Sequence, residues 1–136
     1  MNKSTTKKIL YVDDDSDDHI FLHQFLASSS VNTLVIDAYD GDEAIQYLHN
    51  ADEAALPALI VLDLNMPRRN GHEVLQYIKT SKFSNIPVVI LSTSNNEKDR
   101  EISNRLGAAS FMQKPFHYDG YKEIVKKFIS LLPVAR

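Results

Sequence analysis

The chain has 136 residues, of which 43% are hydrophobic and 24% charged, with a formal net charge of −3. That length suits one domain with its own core, and the mild negative charge supplies no basic field for nucleic acid. The absence of cysteine excludes disulfides, thiolate metal sites and cysteine nucleophiles. No apolar run approaches membrane-spanning length, and the polar start Met1 to Lys8 lacks a secretory h-region, so a cytoplasmic protein without membrane contact is expected.

Ile9-Leu10-Tyr11-Val12 reads as the first strand and stops at Asp13-Asp14-Asp15-Ser16-Asp17-Asp18, where the acids cannot continue a buried strand. Ser16 suits an N-cap, with Asp17 and Asp18 in the first turn of a helix that carries Phe21, Leu22, Phe25 and Leu26 and ends at Ser28-Ser29-Ser30. Leu34-Val35-Ile36 is a second strand, and Ala44, Ile45, Tyr47 and Leu48 mark a second helix. After a loop from Asn50 to Pro57 comes Leu59-Ile60-Val61-Leu62-Asp63, a continuous apolar run that reads as a strand buried on both faces. Pro67-Arg68-Arg69-Asn70-Gly71 is a loop, and Val74, Leu75 and Ile78 mark the third helix. Pro87-Val88-Val89-Ile90-Leu91 is the fourth strand. A fourth helix covers about Glu97 to Leu106, with Gly107 as its stop. Ala108-Ala109-Ser110-Phe111-Met112 is a weaker fifth strand, broken by Lys114-Pro115. The last helix carries Tyr121, Ile124, Val125, Phe128, Ile129 and Leu132 on one face.

Strand and helix runs alternate throughout, which predicts an α/β fold with a parallel sheet and helices on both faces. In such a sheet the carboxyl ends of the strands share one edge, where ligands collect. Asp13 and Asp14 then meet Asp63, Ser92 and Lys114, while the second strand offers only the lone acid Asp37. Converging carboxylates repel one another unless protonated or neutralised. An oxygen-only set suits Mg²⁺, Mn²⁺ or Ca²⁺, and a carboxylate beside such an ion can act as the nucleophile that forms an aspartyl phosphate.

Four motifs stand in order at the strand ends: Val12-Asp13-Asp14; Asp63-Leu64-Asn65-Met66-Pro67 with Gly71; Pro87-Val88-Val89-Ile90-Leu91-Ser92; and Lys114-Pro115-Phe116. With them the sequence resembles a response-regulator receiver domain, the phospho-accepting half of two-component signalling, over roughly Lys8 to Leu132. The acids that follow Asp13-Asp14, the Leu-Ser-Thr-Ser segment and the length further resemble the single-domain receivers associated with bacteriophytochrome histidine kinases. The resemblance implies one flavodoxin-like (βα)5 domain over 1–136, core about 8–132, with strand order 2-1-3-4-5 and no output domain. Asp63 would be the phosphoacceptor. Asp14 would bind Mg²⁺ directly and Asp13 directly or through water, with the Asn65 backbone carbonyl as a further ligand; Mn²⁺ or Ca²⁺ would substitute. Ser92 would be the switch hydroxyl, and Lys114 would contact the phosphoryl group. Phe111 falls where the family has a switch aromatic, often Tyr, and lacks the phenolic hydroxyl. The Lys114-Pro115 bond is commonly cis in that family, though nothing in the sequence requires it.

The implied donor is a sensor histidine kinase, a bacteriophytochrome among the candidates. Output would run through the surface of the fourth helix, fifth strand and fifth helix, to an effector, a histidine phosphotransfer protein or a second copy in a homodimer. On this reading the chain is a signalling phosphoacceptor that assists its own phosphorylation and dephosphorylation rather than an enzyme. The alternative is a phosphorylation-independent binding module of the same fold. A phosphatase reading requires an acid at position 65, where Asn65 stands. An EF-hand reading of Asp13-x-Asp15-x-Asp17 lacks the turn glycine at Asp18 and the bidentate glutamate at Gln24. Asp15, Asp17 and Asp18 are expected to be a solvated cap, and His19 and His23, at i and i+4, to lie on a polar helix face. A one-residue slip of register would give the switch hydroxyl to Thr93 or Ser94, and Phe111 is open to a plain core role.

Overall fold

The computed structural model describes residues 6–66 and 69–133. Pro67 and Arg68 of the loop motif lie outside the described residues. Strands β1 (Lys7–Val12), β2 (Thr33–Ala38), β3 (Leu59–Asp63), β4 (Val88–Ser92) and β5 (Ser110–Gln113) form one parallel sheet in the order β2-β1-β3-β4-β5. They alternate with helices α1 (Ser16–Ala27), α2 (Gly41–Asn50), α3 (Gly71–Lys79), α4 (Glu97–Arg105) and α5 (Tyr121–Leu131). The expected flavodoxin-like topology is therefore present.

The boundaries differ where local hydrogen bonding decides them. Helix α1 is capped by Asp15 rather than Ser16: Asp15 Oδ1 accepts from the Asp17 N–H at 2.9 Å, and Asp13 Oδ1 in turn accepts from the Asp15 N–H at 2.9 Å. Two successive Asx turns thus start the helix one residue early. Strand β5 begins at Ser110 rather than Ala108 because Ala108 closes α4. Its N–H donates to the Ser103 carbonyl, and the Gly107 N–H to that of Asn104, with Gly107 at φ 101°. This is a Schellman ending, which calls for glycine at the left-handed position.

Every residue of β3 and β4 is buried, as expected of central parallel strands covered on both sides. Side-chain alternation divides the core in two. Ile9, Tyr11, Val61, Val89 and Leu91 pack with Leu22, Leu26, Ile124, Val125 and Phe128 of α1 and α5. Leu10, Val12, Ile60, Leu62 and Ile90 pack with Ala44, Leu48, Val74, Leu75 and Ile78 of α2 and α3. Asp13, Asp63 and Lys114 each lie two residues beyond a member of the first group or a residue packed on it (Tyr11, Val61 and Met112). The period of two therefore aims all three toward the α1/α5 side of the sheet edge.

The start of α3 comes unusually close to that edge. The Gly71 N–H donates to the Leu64 carbonyl at 3.1 Å, and a Cβ on Gly71 would lie 2.7 Å from the Asp63 carbonyl oxygen and 2.8 Å from the Leu64 Cα. Backbone on both sides leaves no flexible atom to give way. Gly71→Ala is expected to destabilise the fold by about 1–3 kcal/mol, read by chemical denaturation. Equal stability of the two proteins would show that the close approach is not a constraint.

Candidate functional site

The strand ends open onto a cleft of about 470 Å³ lined by Asp14, Asp15, Ser16, Asp63, Asn65, Thr93 and Lys114. Asp13, one residue before Asp14, is fully buried. Its Oδ2 accepts from the Tyr11 hydroxyl at 2.6 Å and pairs with Lys114 Nζ at 2.8 Å. Asp63 is also buried; its Oδ1 accepts from the Asn65 N–H at 3.2 Å, and its Oδ2 lies 3.4 Å from Lys114 Nζ. Asp14 is exposed at the mouth. One oxygen from each of Asp13, Asp14 and Asp63 lies within 4.8 Å of the other two.

Burial, and then the charge of Asp13, pushes the Asp63 carboxyl up from its ordinary 3.8 to about 7, against the downward pull of Lys114 and the Asn65 N–H. Burial alone would lower the Lys114 ammonium. Hydrogen bonding and charge from Asp13 and Asp18, with the charge of Asp63, outweigh it and hold the group above its usual range. Lys114 therefore stays cationic throughout the neutral range. Burial, joined by the neighbouring carboxylates, also raises the Tyr11 and Tyr121 hydroxyls, which remain protonated donors. The chemistry of the donor set fits a hard divalent cation: the clustered ligands are carboxylate oxygens with no sulfur or imidazole, and their mutual repulsion is what such an ion relieves.

Ser92 is fully buried, and its hydroxyl accepts from the Ser94 N–H at 3.1 Å. Alternation turns it toward the α2/α3 side, so that its neighbour Thr93 lines the cleft. Phe111 packs into the α2/α3-side core, and the Arg100 guanidinium lies 4.9 Å from the centre of its ring. The Lys114-Pro115 bond is trans, and no cis peptide occurs among the described residues.

Two expectations are corrected. Asp18 does not belong to a solvated cap. Its Oδ2 accepts from Lys114 Nζ at 2.9 Å and its Oδ1 from the Tyr121 hydroxyl at 2.5 Å. Burial works to raise this carboxyl, but the bonds from Tyr121 and Lys114 hold it below the usual range. His19 is not on a polar face either: it is 2% exposed, between the rings of Tyr11 and Tyr39. Its Nδ1 meets Asp37 Oδ1 at 2.6 Å and its Nε2 meets the Asp13 carbonyl at 2.8 Å, while His23 also reaches Asp37, at 2.9 Å. The i, i+4 spacing of the two imidazoles is visible in the sequence, but the shared acceptor on β2 is not. Nor does any local pattern announce Asp18, whose partners stand about a hundred residues further along the chain.

A model of the response regulator receiver domain family matches residues 9–126. The chain is similar to response regulator Rcp1 of Synechocystis sp., with 37% identity over 112 residues that cover 79% of this chain and 76% of Rcp1. A crystal structure of the Mn(2+)-bound form of Rcp1 matches with a TM-score of 0.83 at 33% identity, covering 94% of this chain and 99% of the other. The phosphorylated cyanobacterial phytochrome response regulator RcpA matches with a TM-score of 0.85 at 38% identity, covering 94% of each chain. Against larger transcriptional regulators such as CpxR of Escherichia coli, 31% identical over 125 residues, the chain spans only 49% of the relative's length.

The raised Asp63 carboxyl has a consequence for stability. A carboxyl with a higher value folded than unfolded has no cost while both states are protonated, and the cost of ionising it grows between about pH 4 and about pH 7. In metal-free buffer Asp63→Asn is therefore expected to be more stable than the parent protein by up to about 4 kcal/mol near pH 8, the difference nearly vanishing near pH 4. Denaturant titrations across this range check it; a parent protein that is the more stable at pH 8 would contradict the assigned burial and repulsion.

Proposed function

This chain belongs to the response regulator receiver domain family, and on that premise we propose that Asp63 is the carboxylate that accepts a phosphoryl group from a phosphohistidine of a sensor histidine kinase. A carboxylate oxygen of Asp63 attacks phosphorus. The P–N bond to the histidine ring breaks, its electron pair stays on the ring nitrogen, which then takes a proton, and an acyl phosphate remains on Asp63. The observation that carries the reading is the placement of Asp63 beside the Lys114 ammonium, at the wall of an open polar cleft with Asp13 and Asp14 alongside.

The residues have separable tasks in this reading. Asp13, Asp14, Asp63 and the Asn65 backbone carbonyl would hold Mg²⁺, with Mn²⁺ or Ca²⁺ as substitutes. The ion supplies neutralisation of phosphoryl charge when bound. Lys114 supplies a fixed positive charge beside Asp63, where the oxygens of the incoming phosphoryl group would lie. Asn65, in the place where a hydrolase needs an acid, gives no general acid for turnover, so the product is held as a signal rather than released as part of an enzymatic cycle.

Phosphorylation adds about −1.5 to −2 charges at neutral pH. Ser92 exchanges its bond to Ser94 for the phosphoryl oxygens, and the loop from β4 to α4 shifts with it. Phe111, packed under Arg100 one strand away, repacks without the hydroxyl that a tyrosine would contribute. Both arrangements pre-exist, and phosphate favours one of them. The surface of α4, β5 and α5 then reports the change to an effector, a histidine phosphotransfer protein or a second copy of the chain. Similarity to RcpA, a cyanobacterial phytochrome response regulator, supports a phytochrome-type kinase as the donor, a bacteriophytochrome among the candidates. The reading makes residues 8–132 one receiver domain working in the cytoplasm; no helix among the described residues is long and apolar enough to cross a membrane.

Incubation with Mg²⁺ and acetyl phosphate is expected to add the mass of one phosphoryl group, with acetate as the leaving group, and Asp63→Asn is expected to take up none. An unchanged mass for the parent protein, or equal labelling of the variant, would rule out Asp63 as the acceptor.

A further inference from the structure

The Lys114 ammonium has three N–H donors and faces three carboxylates. It lies 2.8 Å from Asp13 Oδ2 and 2.9 Å from Asp18 Oδ2, but 3.4 Å from Asp63 Oδ2. Pairing with Asp13 and Asp18 at these distances takes up two donors and leaves the third for Asp63, which lies beyond the length of a full hydrogen bond. Asp13 is fixed by its own burial and by Tyr11. Asp18 is fixed from another side: α1 carries it, and the hydroxyl of Tyr121, the first residue of α5, donates to its other oxygen at 2.5 Å. The two helices pack together, and Phe21 and Phe25 of α1 flank the Tyr121 ring.

An ammonium on a four-carbon stem otherwise rotates freely. Two anchored acceptors remove that freedom, and a donor held in place costs no reorganisation when the phosphoryl group arrives.

We propose that Asp18, itself held by Tyr121, is a positioning residue for phosphoryl transfer, acting through Lys114: it fixes the ammonium so that one N–H faces the group that forms on Asp63. This rests on Asp63 being the phosphoacceptor. The reacting bonds are unchanged: with acetyl phosphate the Asp63 oxygen–phosphorus bond forms, the phosphorus–oxygen bond to acetate breaks, and acetate leaves with the electron pair.

The test follows labelling by acetyl phosphate with Mg²⁺ at saturating and at low donor, for Asp18→Ala, Asp18→Asn, Tyr121→Phe and Lys114→Ala and for the double variant Asp18→Ala/Lys114→Ala. Asp18→Ala is expected to slow the saturated rate roughly five- to tenfold with little change in half-saturating donor, as a lost orientation does. Asp18→Asn, which restores an acceptor oxygen, recovers most of that rate, and Tyr121→Phe gives a smaller loss in the same direction. In the Lys114→Ala background the Asp18 substitution has no further effect. A second readout is the ¹⁵N signal of the Lys114 ammonium, expected to be distinct and ordered in the parent and averaged in Asp18→Ala. A full rate in Asp18→Ala, no recovery in Asp18→Asn, an undiminished effect of Asp18 without Lys114, or an unchanged ammonium signal would each overturn the proposal. If the parent protein itself takes up no label, both this proposal and the phosphoacceptor reading fall; if it labels and Asp18→Ala labels equally fast, only this one does.

Discussion

A single ammonium holds the acidic edge of this sheet together. Asp13, Asp18 and Asp63 converge within reach of Lys114 Nζ, and the first and last of them are almost wholly buried. Buried carboxylates at such spacing cannot all ionise without compensation. Here the compensation is a lysine delivered from the end of β5, after nearly the whole fold has been laid down. The residual imbalance is seen at Asp63, whose carboxyl is pushed up to about 7 by burial and by Asp13 in spite of Lys114. A carboxylate short of positive charge, beside an open cleft, is a place where a cation or a charge-neutralising partner is drawn in.

The architecture serves that arrangement. Parallel strands bring their carboxyl ends to one edge, and the order β2-β1-β3-β4-β5 places β1 and β3, which carry the acids, side by side. The period of two along each strand then aims Asp13, Asp63 and Lys114 to one face and Ser92 to the other. Close packing refines the geometry. Gly71 lets the start of α3 touch the backbone of Asp63 and Leu64, while Tyr11 and Asn65 donate to the two carboxylates from below and beside. A second polar cluster extends the edge toward β2, where His19 bridges the Asp13 carbonyl and Asp37, and His23 joins the same carboxylate. The loop that carries Asp13 and Asp14 is thereby tied to both its neighbouring strand and its own helix.

The split between Ser92 and Asp63 has a functional meaning. The Ser92 hydroxyl lies on the α2/α3 side of the sheet, the side into which Phe111 packs, whereas Asp63 lies on the α1/α5 side. On the proposed reading, a group forming on Asp63 would recruit Ser92 through movement of the end of β4 and of the α4 surface beyond it. Small displacements at a closely packed sheet edge are transmitted because the packing has few intermediate arrangements.

Much of this was legible in the sequence, for physical reasons. Continuous apolar runs such as Leu59 to Leu62 mark strands covered on both faces, and their alternation with helical periods sets the fold class. Carboxylates, a hydroxyl and a lysine placed just past those runs must meet at one edge once the strands are parallel, so Asp13, Asp14, Asp63 and Lys114 could be brought together on paper. Local hydrogen bonds moved the start of α1 to Asp15 and that of β5 to Ser110, because a cap depends on where one side chain turns, which composition does not settle. Only the tertiary structure decided the partners of Asp18 and His19. Both looked like surface residues of a polar helix, and both are held by groups from other elements: Lys114 and Tyr121 for the acid, Asp37 and the Asp13 carbonyl for the imidazole. Periodicity reports which side of a helix is apolar; it carries no information about which polar groups the neighbouring elements bring to its edge.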